Sequence, residues 1–412
     1  MERGKEVSAA QSWRLWWMGR LRSTNVGTSL MVVVLLSLLT LKWTEVISVA
    51  NYAYTSARFS PVRQVWADDG FGFGILGVPW CRSRANNTVI WTRAELLQEL
   101  SVFAKVYETR PIINNLNGMG FDHSFGLWFI ARKLQPALAI ESGVFKGHST
   151  WILRQALPNV PIVALSPRHP RHYSKKSSAY VDSNCQYFTG KRFTDFGHIS
   201  WSSVLAEHKV KDPSMVLVFF DDHQNQLRRI EAAQKYGFQH LVFEDNYDTG
   251  TGDHYSMRQI CDQYHVSGGG HDCFKGEEEL KIRNERQGRW EKAVNMSGLC
   301  GDDDEWWGVQ GYARDDFGHS FRRIPHSQHF ENGRFVGDGL DVYWEVPPVA
   351  SPILTHQTRY DPARTVLPLL LGEDKALFQE LGLQNVPRHA FNGYTQMAYV
   401  KLLPSSLEEN SW

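Results

Sequence analysis

Leu138-Ala139-Ile140-Glu141-Ser142-Gly143-Val144-Phe145-Lys146-Gly147-His148-Ser149-Thr150 is the stretch on which the fold turns. A short apolar run of strand length meets an acid, then a loop with glycines at 143 and 147, then Ser149 and Thr150, which suit the first turn of a helix. Glycines at those two places let the backbone turn tightly and approach a ligand closely. The helix N-terminus beyond them favours an anionic or polar group.

Outward from this stretch, short apolar runs alternate with helical ones. Upstream, Thr92 to Tyr107 reads as a helix. His123 to Leu134 is apolar at helical spacing (Leu127, Phe129, Ile130, Leu134) and is stopped by Pro136. Downstream, Ile162-Val163-Ala164-Leu165, Val216-Leu217-Val218-Phe219-Phe220 and Leu241-Val242-Phe243 have strand length, and a further strand fits just before Tyr187. Val342 to Val346 and Met397 to Leu402 are two late strands able to close the sheet. Strands alternating with helices predict an α/β, Rossmann-like, doubly wound and mostly parallel sheet with buried strands. Between residues 249 and 335 lies a polar, Gly- and Asp-rich stretch that includes Asp302-Asp303-Asp304. It is too long for a simple connection and reads as an insertion after the fifth strand, a candidate substrate lid.

The fourth strand ends in Phe219-Phe220-Asp221-Asp222-His223 and the fifth in Phe243-Glu244-Asp245-Asn246-Tyr247. Ligands of open parallel sheets bind outside the carboxyl ends of the strands, so both tips should meet the glycine loop at one crevice. Carboxylates crowded there repel unless something positive neutralises them. A hard divalent cation held by oxygens answers that need, magnesium first. Its candidate ligands are Asp221, Asp222, Glu244, Asp245 and Asn246, with one of the two consecutive aspartates expected to face away and cap the next helix. Such an ion would orient and acidify a substrate hydroxyl. His223 is the candidate general base, since a histidine titrates near neutral pH. His254 lies just beyond the fifth strand, within reach of the crevice or in a turn.

The Glu141 to Thr150 string resembles the first motif of class I S-adenosylmethionine-dependent methyltransferases, whose loop passes under the methionine part of the cofactor. The resemblance implies cofactor contacts from Glu141, Gly143, Gly147 and Ser149. It also implies that the Tyr187 to Asp195 segment passes near the adenine, with Asp195 at its amino group. Ser166 stands where the family carries an acid for the ribose hydroxyls, and a serine cannot accept two hydrogen bonds as a carboxylate does. The strand tips resemble two groups. Asp245-Asn246 matches the magnesium-holding pair of catechol O-methyltransferase and its relatives. Asp222-His223 with Glu244-Asp245 matches the cephalosporin hydroxylase and rhamnosyl O-methyltransferase group, with macrocin O-methyltransferase nearby. The lysine base of the catechol type is absent; Gln224 and Asn225 follow His223 instead. The resemblance covers residues 138 to 250 and is confined to motifs.

From Ser23 to Leu41 there is no charged residue. About 19 residues at ~1.5 Å each span roughly 28 Å, close to the hydrocarbon thickness of a bilayer. Lys42 can snorkel at its end, and Trp13, Trp16, Trp17 and Trp43 flank it as interfacial aromatics do. Arg14, Arg20 and Arg22 precede the span, which predicts a cytosolic N-terminus and a bulk on the other side of the membrane. A cleaved signal peptide fits less well, because the basic region is long and no small-x-small site follows Leu41. The sequons Asn86-Asn87-Thr88 and Asn295-Met296-Ser297 agree with the secretory pathway, and the expected address within it is the Golgi, where anchored glycan-modifying enzymes commonly reside. All five cysteines (Cys81, Cys185, Cys261, Cys273, Cys300) lie beyond the span, and Cys261 with Cys273, flanking a glycine-rich turn, is the expected disulfide.

Lysine plus arginine and aspartate plus glutamate both number 44, so there is no net basic charge to forecast a nucleic-acid partner. The expected organisation is a cytosolic tail (1–22), a transmembrane signal anchor (23–43), a stem and lead-in segment (44–111), the Rossmann-like domain (112–403) and a short C-terminal tail (404–412). The function this implies is a lumenal, metal-assisted O-methyltransferase using S-adenosylmethionine on a sugar hydroxyl of a glycan or glycoconjugate. The alternatives are a glycosyltransferase with a metal-bound nucleotide sugar and a non-catalytic scaffold.

Overall fold

In a computed structural model, seven strands form one sheet: β1 (Leu138–Ser142), β2 (Ile162–Ser166), β3 (Cys185–Thr189), β4 (Val216–Phe220), β5 (His240–Asn246), β6 (Leu340–Glu345) and β7 (Gln396–Leu402). The structure describes residues 87–115, 118–173, 179–247, 254–261, 324–356, 366–391 and 396–404, with Cys81, Ser83 and a short strand at 305–306. All of these lie in one unit, Val62–Trp412. The expected anchor, cytosolic tail and C-terminal Ser405 to Trp412 lie outside the described residues, as do Cys273, Cys300 and Asp302-Asp303-Asp304. Among the described residues no helix is long and apolar enough to cross a membrane.

The strand order is β3-β2-β1-β4-β5-β7-β6. β1 to β5 are parallel, and β7 runs antiparallel between β5 and β6. The order reverses between β1 and β4, where neighbouring connections leave to opposite sides and open a crevice above the strand tips. Five of the six strand runs anticipated by residue number fall within strands, the sixth overruns its strand by Val346, and the two late ones are those that close the sheet.

Strand periodicity sorts the side chains into two cores. Ala139, Leu217, Phe219 and Val242 face one side, with α1 (Arg93–Glu108), α2 (Phe121–Leu134) and α3 (His148–Ala156). Leu138, Ile140, Val216, Val218, Phe220 and Phe243 face the other, with α4 (Trp201–Glu207), α5 (Gln226–Lys235) and α6 (Met257–Cys261). Helix α1 begins with a capping box: the Glu95 amide donates to Thr92 Oγ1 (3.2 Å) and the Thr92 amide to Glu95 Oε2 (2.8 Å). Its Leu96, Leu100 and Phe103 are fully buried. The segment expected to lead into the domain is therefore partly core.

The expected insertion also contributes packed structure. Met257 and Ile260 of α6 are buried, and α7 (His326–Gly339) runs across residue 335 directly into β6. Cys261 is bonded to Cys81, not to Cys273. The near neighbour in sequence loses because α6 packs in the second core, where Cys81 is buried beside it with its sulfur 3.4 Å from the Met257 carbonyl oxygen.

Candidate active site

The tips of β1 and β4 are in backbone contact. The Asp221 amide donates to the Ser142 carbonyl (2.8 Å), and a Cβ added at Gly143 would lie 2.0 Å from the Asp221 carbonyl oxygen. Gly143 has φ +96°, so both its conformation and the approach of β4 require glycine. Gly147 (φ +88°) is closed over by the carbonyl of Tyr180 in the same way. The glycine loop thus sits where the motif reading puts it, but its two glycines first serve chain-to-chain approach.

Glu141 is fully buried and holds the loop from beneath. Its two carboxylate oxygens accept from Ser149 Oγ and from Thr150 Oγ1 (2.6 Å) at the start of α3. Burial pushes its carboxyl up to about 7 despite those two donors. Glu141 and Ser149, expected as cofactor contacts, are engaged with each other. Ser166 is 2% exposed, with its hydroxyl 3.2 Å from that of Tyr173, whose ring packs on Phe145. The serine at the expected ribose position is thus buried, with the Tyr173 hydroxyl beside its own.

The consecutive aspartates after β4 part company because strand geometry alternates. Asp222 continues the face of Phe220 and meets α5. Arg229 of that helix reaches Asp222 Oδ2 (2.9 Å) and, through both terminal nitrogens, the two oxygens of Asp195 (2.7 and 2.8 Å). Ser142 Oγ also donates to Asp222 (2.6 Å). Burial opposes a charged Arg229, but Asp222 and Asp195 overcome it and raise its affinity for the proton. Burial likewise opposes a charged Asp195, and the Arg229 guanidinium holds its carboxyl below the usual range. Asp222, expected as a metal ligand, and Asp195, expected at the adenine, are the two arms of an ion-pair bridge through the buried Arg229, the Asp195 arm being partly exposed.

Asp221 turns to the other side. One ligand atom each from Asp221, His223 and Asp245 lie within 4.8 Å of one another. Burial, then Glu244 and Asp245, push the Asp221 carboxyl well above its usual range. Burial and then Glu244 do the same to Asp245. Both Asp245 oxygens are buried without a hydrogen-bond partner, and so is Glu244 Oε2. His223, with φ +52°, stands at the rim with 41% of its side chain exposed and Nδ1 3.3 Å from Asp245 Oδ2. A residue with a Cβ is held in the left-handed region here, a strain that commonly marks functional positions.

The end of β5 distributes three consecutive polar residues in three directions. Its register against β7 slips by one residue between Phe243 and Asn246, a bulge that breaks simple alternation. Glu244 Oε1 meets His123 Nδ1 of α2 at 2.7 Å. Asp245 joins the Asp221 cluster. Asn246 donates to the Tyr343 hydroxyl and accepts from the Arg258 amide, both at 2.9 Å. Arg258 is in turn paired with Glu345 through two bonds of 2.8 and 2.6 Å. Asn246 and Glu244, expected as metal ligands, are thus tied into neighbouring buried networks. His254 does reach the crevice: Nε2 lies 3.2 Å from the Asp245 carbonyl.

Sequence reasoning missed His123, Arg229 and Arg258. Arg229 carried a readable signal. It falls on the buried stripe of α5 with Gln226, Ile230 and Ala233, and an arginine at an apolar-stripe position implies a buried acid.

No protein-family model matches the chain, and no curated protein matches it. Solved structures do resemble it. An O-methyltransferase from Bacillus cereus in complex with SAH is 14% identical over 47% of this chain and 78% of its own, with TM-score 0.25. The O-methyltransferase TomG from Streptomyces achromogenes, involved in tomaymycin synthesis and in complex with SAM, is 17% identical over 37% and 65%, with TM-score 0.19. The SAH-bound methyltransferase PaMTH1 from Podospora anserina is 15% identical over 36% and 62%, with TM-score 0.20. Scores this low leave the strand order and the crevice, not the neighbours, as the grounds for a functional reading. The three structures named are methyltransferases bound to SAM or SAH, two of them O-methyltransferases, and the seven-stranded Rossmann-like sheet of this chain fits a methyltransferase fold.

Proposed function

We propose that this chain is an O-methyltransferase that takes S-adenosylmethionine and a divalent cation at the β1–β4–β5 crevice and methylates a sugar hydroxyl of a glycan or glycoconjugate. The observation that carries the reading is the meeting of the Gly143 loop with Asp221 and Asp245, two acids that among the described residues have histidines beside them and no lysine or arginine ion pair. Unpartnered Asp245 oxygens and the neighbouring Asp221 suit a cation's oxygen ligands. The Gly143–Gly147 loop and the N-terminus of α3 are the elements that would hold the methyl donor.

In the reaction the donor's carbon–sulfur bond would break with its electrons returning to sulfur, a carbon–oxygen bond would form at the acceptor, and the hydroxyl proton would pass to solvent. When bound, the cation lowers the pKa of that hydroxyl. Asp221 and Asp245 fix where the acceptor oxygen sits, and the loop fixes the donor. Holding the two in line is the main contribution asked of the protein.

Membrane anchoring and a lumenal, Golgi-type location belong to the same proposal. The uncharged Ser23–Leu41 stretch with its basic leading flank supports them. The Cys81–Cys261 disulfide, of a kind that persists in oxidising compartments, supports them too. The glycan acceptor rests on location and family analogy.

One observation favours a second reading, a non-catalytic scaffold: Ser166 replaces the ribose-binding acid and is covered by Tyr173. Calorimetric titration of the full-length chain with S-adenosylhomocysteine, UDP and GDP separates the readings. The methyltransferase reading expects saturable heat with S-adenosylhomocysteine alone. Heat with UDP or GDP alone would move the assignment to a glycosyltransferase, and silence with all three to the scaffold.

A further inference from the structure

His223 was expected to act as general base, and its geometry argues for another role. A base oriented by a carboxylate needs a true hydrogen bond from its far nitrogen, about 2.7–2.9 Å when one partner is charged. His223 Nδ1 is 3.3 Å from Asp245 Oδ2, yet that oxygen has no hydrogen-bond partner. At 3.3 Å the contact is an ion pair longer than such a bond.

Proximity of that kind is what two ligands of one ion show. Ligands about 2.1 Å from a metal sit about 3.0 Å apart in octahedral and about 3.4 Å apart in tetrahedral arrangements. The 3.3 Å separation falls in this range, and Asp221 completes a cluster whose ligand atoms lie within 4.8 Å of one another. Asp245 is buried and unpartnered on both oxygens, so the cluster holds a desolvated acid directed at the place an ion would fill. The amide oxygen that the catechol-type resemblance would supply, from Asn246, accepts from the Arg258 amide instead. Imidazole thus stands where an oxygen ligand was expected.

Resting on the cation-assisted reading above, we infer that His223 is a ligand of this cation together with Asp221 and Asp245, and that the mixed nitrogen and oxygen set selects a first-row transition ion over magnesium. Magnesium prefers all-oxygen surroundings and keeps its waters, whereas imidazole suits ions from manganese to zinc. The role of His223 is then to hold and select the ion.

The test is manganese binding to the full-length chain, followed by loss of the free-ion electron paramagnetic resonance signal, with magnesium as competitor. The expected result is one tight manganese site per chain that magnesium displaces poorly. His223→Ala should weaken manganese on the order of 10-fold or more and leave magnesium nearly unchanged. Spin-echo spectra of the bound ion should carry nitrogen-14 modulation in the wild type and in Asp222→Asn, and lose it in His223→Ala and His223→Gln. Equal affinity for the two ions, or nitrogen modulation unchanged without His223, overturns the ligand assignment while the cation-assisted reading stands. If neither ion binds, both fall, and the S-adenosylhomocysteine titration alone decides whether the methyltransferase reading survives.

Discussion

Two carboxylate pairs lie on either side of the β4 tip and are built on opposite principles. Asp195 and Asp222 share the buried guanidinium of Arg229, and their charges are balanced within the fold. Asp221 and Asp245 face each other, Glu244 and the imidazole of His223, and burial with the neighbouring acids holds both away from the charged state. Asp221 and Asp222 are adjacent in sequence, so the difference comes from strand alternation, which sends one to α5 and the other to the crevice. A balanced pair stabilises a fold. An unbalanced one is destabilising until a ligand completes it, which makes it the better candidate for function.

The largest expected effect comes from breaking the balanced side. Arg229→Met strands two acids around a buried site and should cost about 3–5 kcal/mol in chemical denaturation. Asp222→Asn keeps the Asp195 arm and should cost about 2–3 kcal/mol. The crevice should answer with the opposite sign. Without divalent ions, Asp245→Asn should raise stability by ~1 kcal/mol or more at neutral pH, because it removes an acid that is ionised in the unfolded chain and that burial forces towards protonation on folding. A loss of stability in Asp245→Asn as large as that in Asp222→Asn would erase the contrast.

Glu141 is an intermediate case, a buried acid satisfied by hydroxyls with no cation. Its folded pKa, about 7, is above the model-compound value of 4.5, so the native state binds the extra proton. That contribution is full below pH 4.5 and is lost as pH rises through about 7, amounting to about 3 kcal/mol at most. Glu141→Gln should flatten the stability profile across that window, read by thermal unfolding at stepped pH; an unchanged profile would show that the acid is not protonated there. The smallest effect belongs to the exposed arm of the bridge. Asp195→Asn, with 29% of the side chain exposed, should cost about 1 kcal/mol or less.

Much of this was legible in the chain. The strand runs, the glycine loop and the three tips follow from periodicity and turn chemistry; of Asp221 and Asp222, Asp222 does face away, but it pairs with Arg229 and the cap expected of it is supplied by Asn225. What escaped prediction depends on partners distant in sequence. His123 meets Glu244 across 121 residues, and Arg258 meets Glu345 across 87. The β5 bulge that aims Glu244, Asp245 and Asn246 three ways is fixed by β7, which enters the sheet only at residue 396. The disulfide was misassigned for the same reason: turn composition around Cys261 favoured a near partner, and the packing of α6 selected Cys81 across 180 residues.

Anomalous diffraction from crystals of the protein soaked in manganese tests the contrast most directly. The account expects a single strong peak within bonding distance of Asp221, Asp245 and His223, and none beside Asp195, Asp222 and Arg229. A crevice without a peak at saturating manganese, or a peak on the Arg229 side, would contradict it.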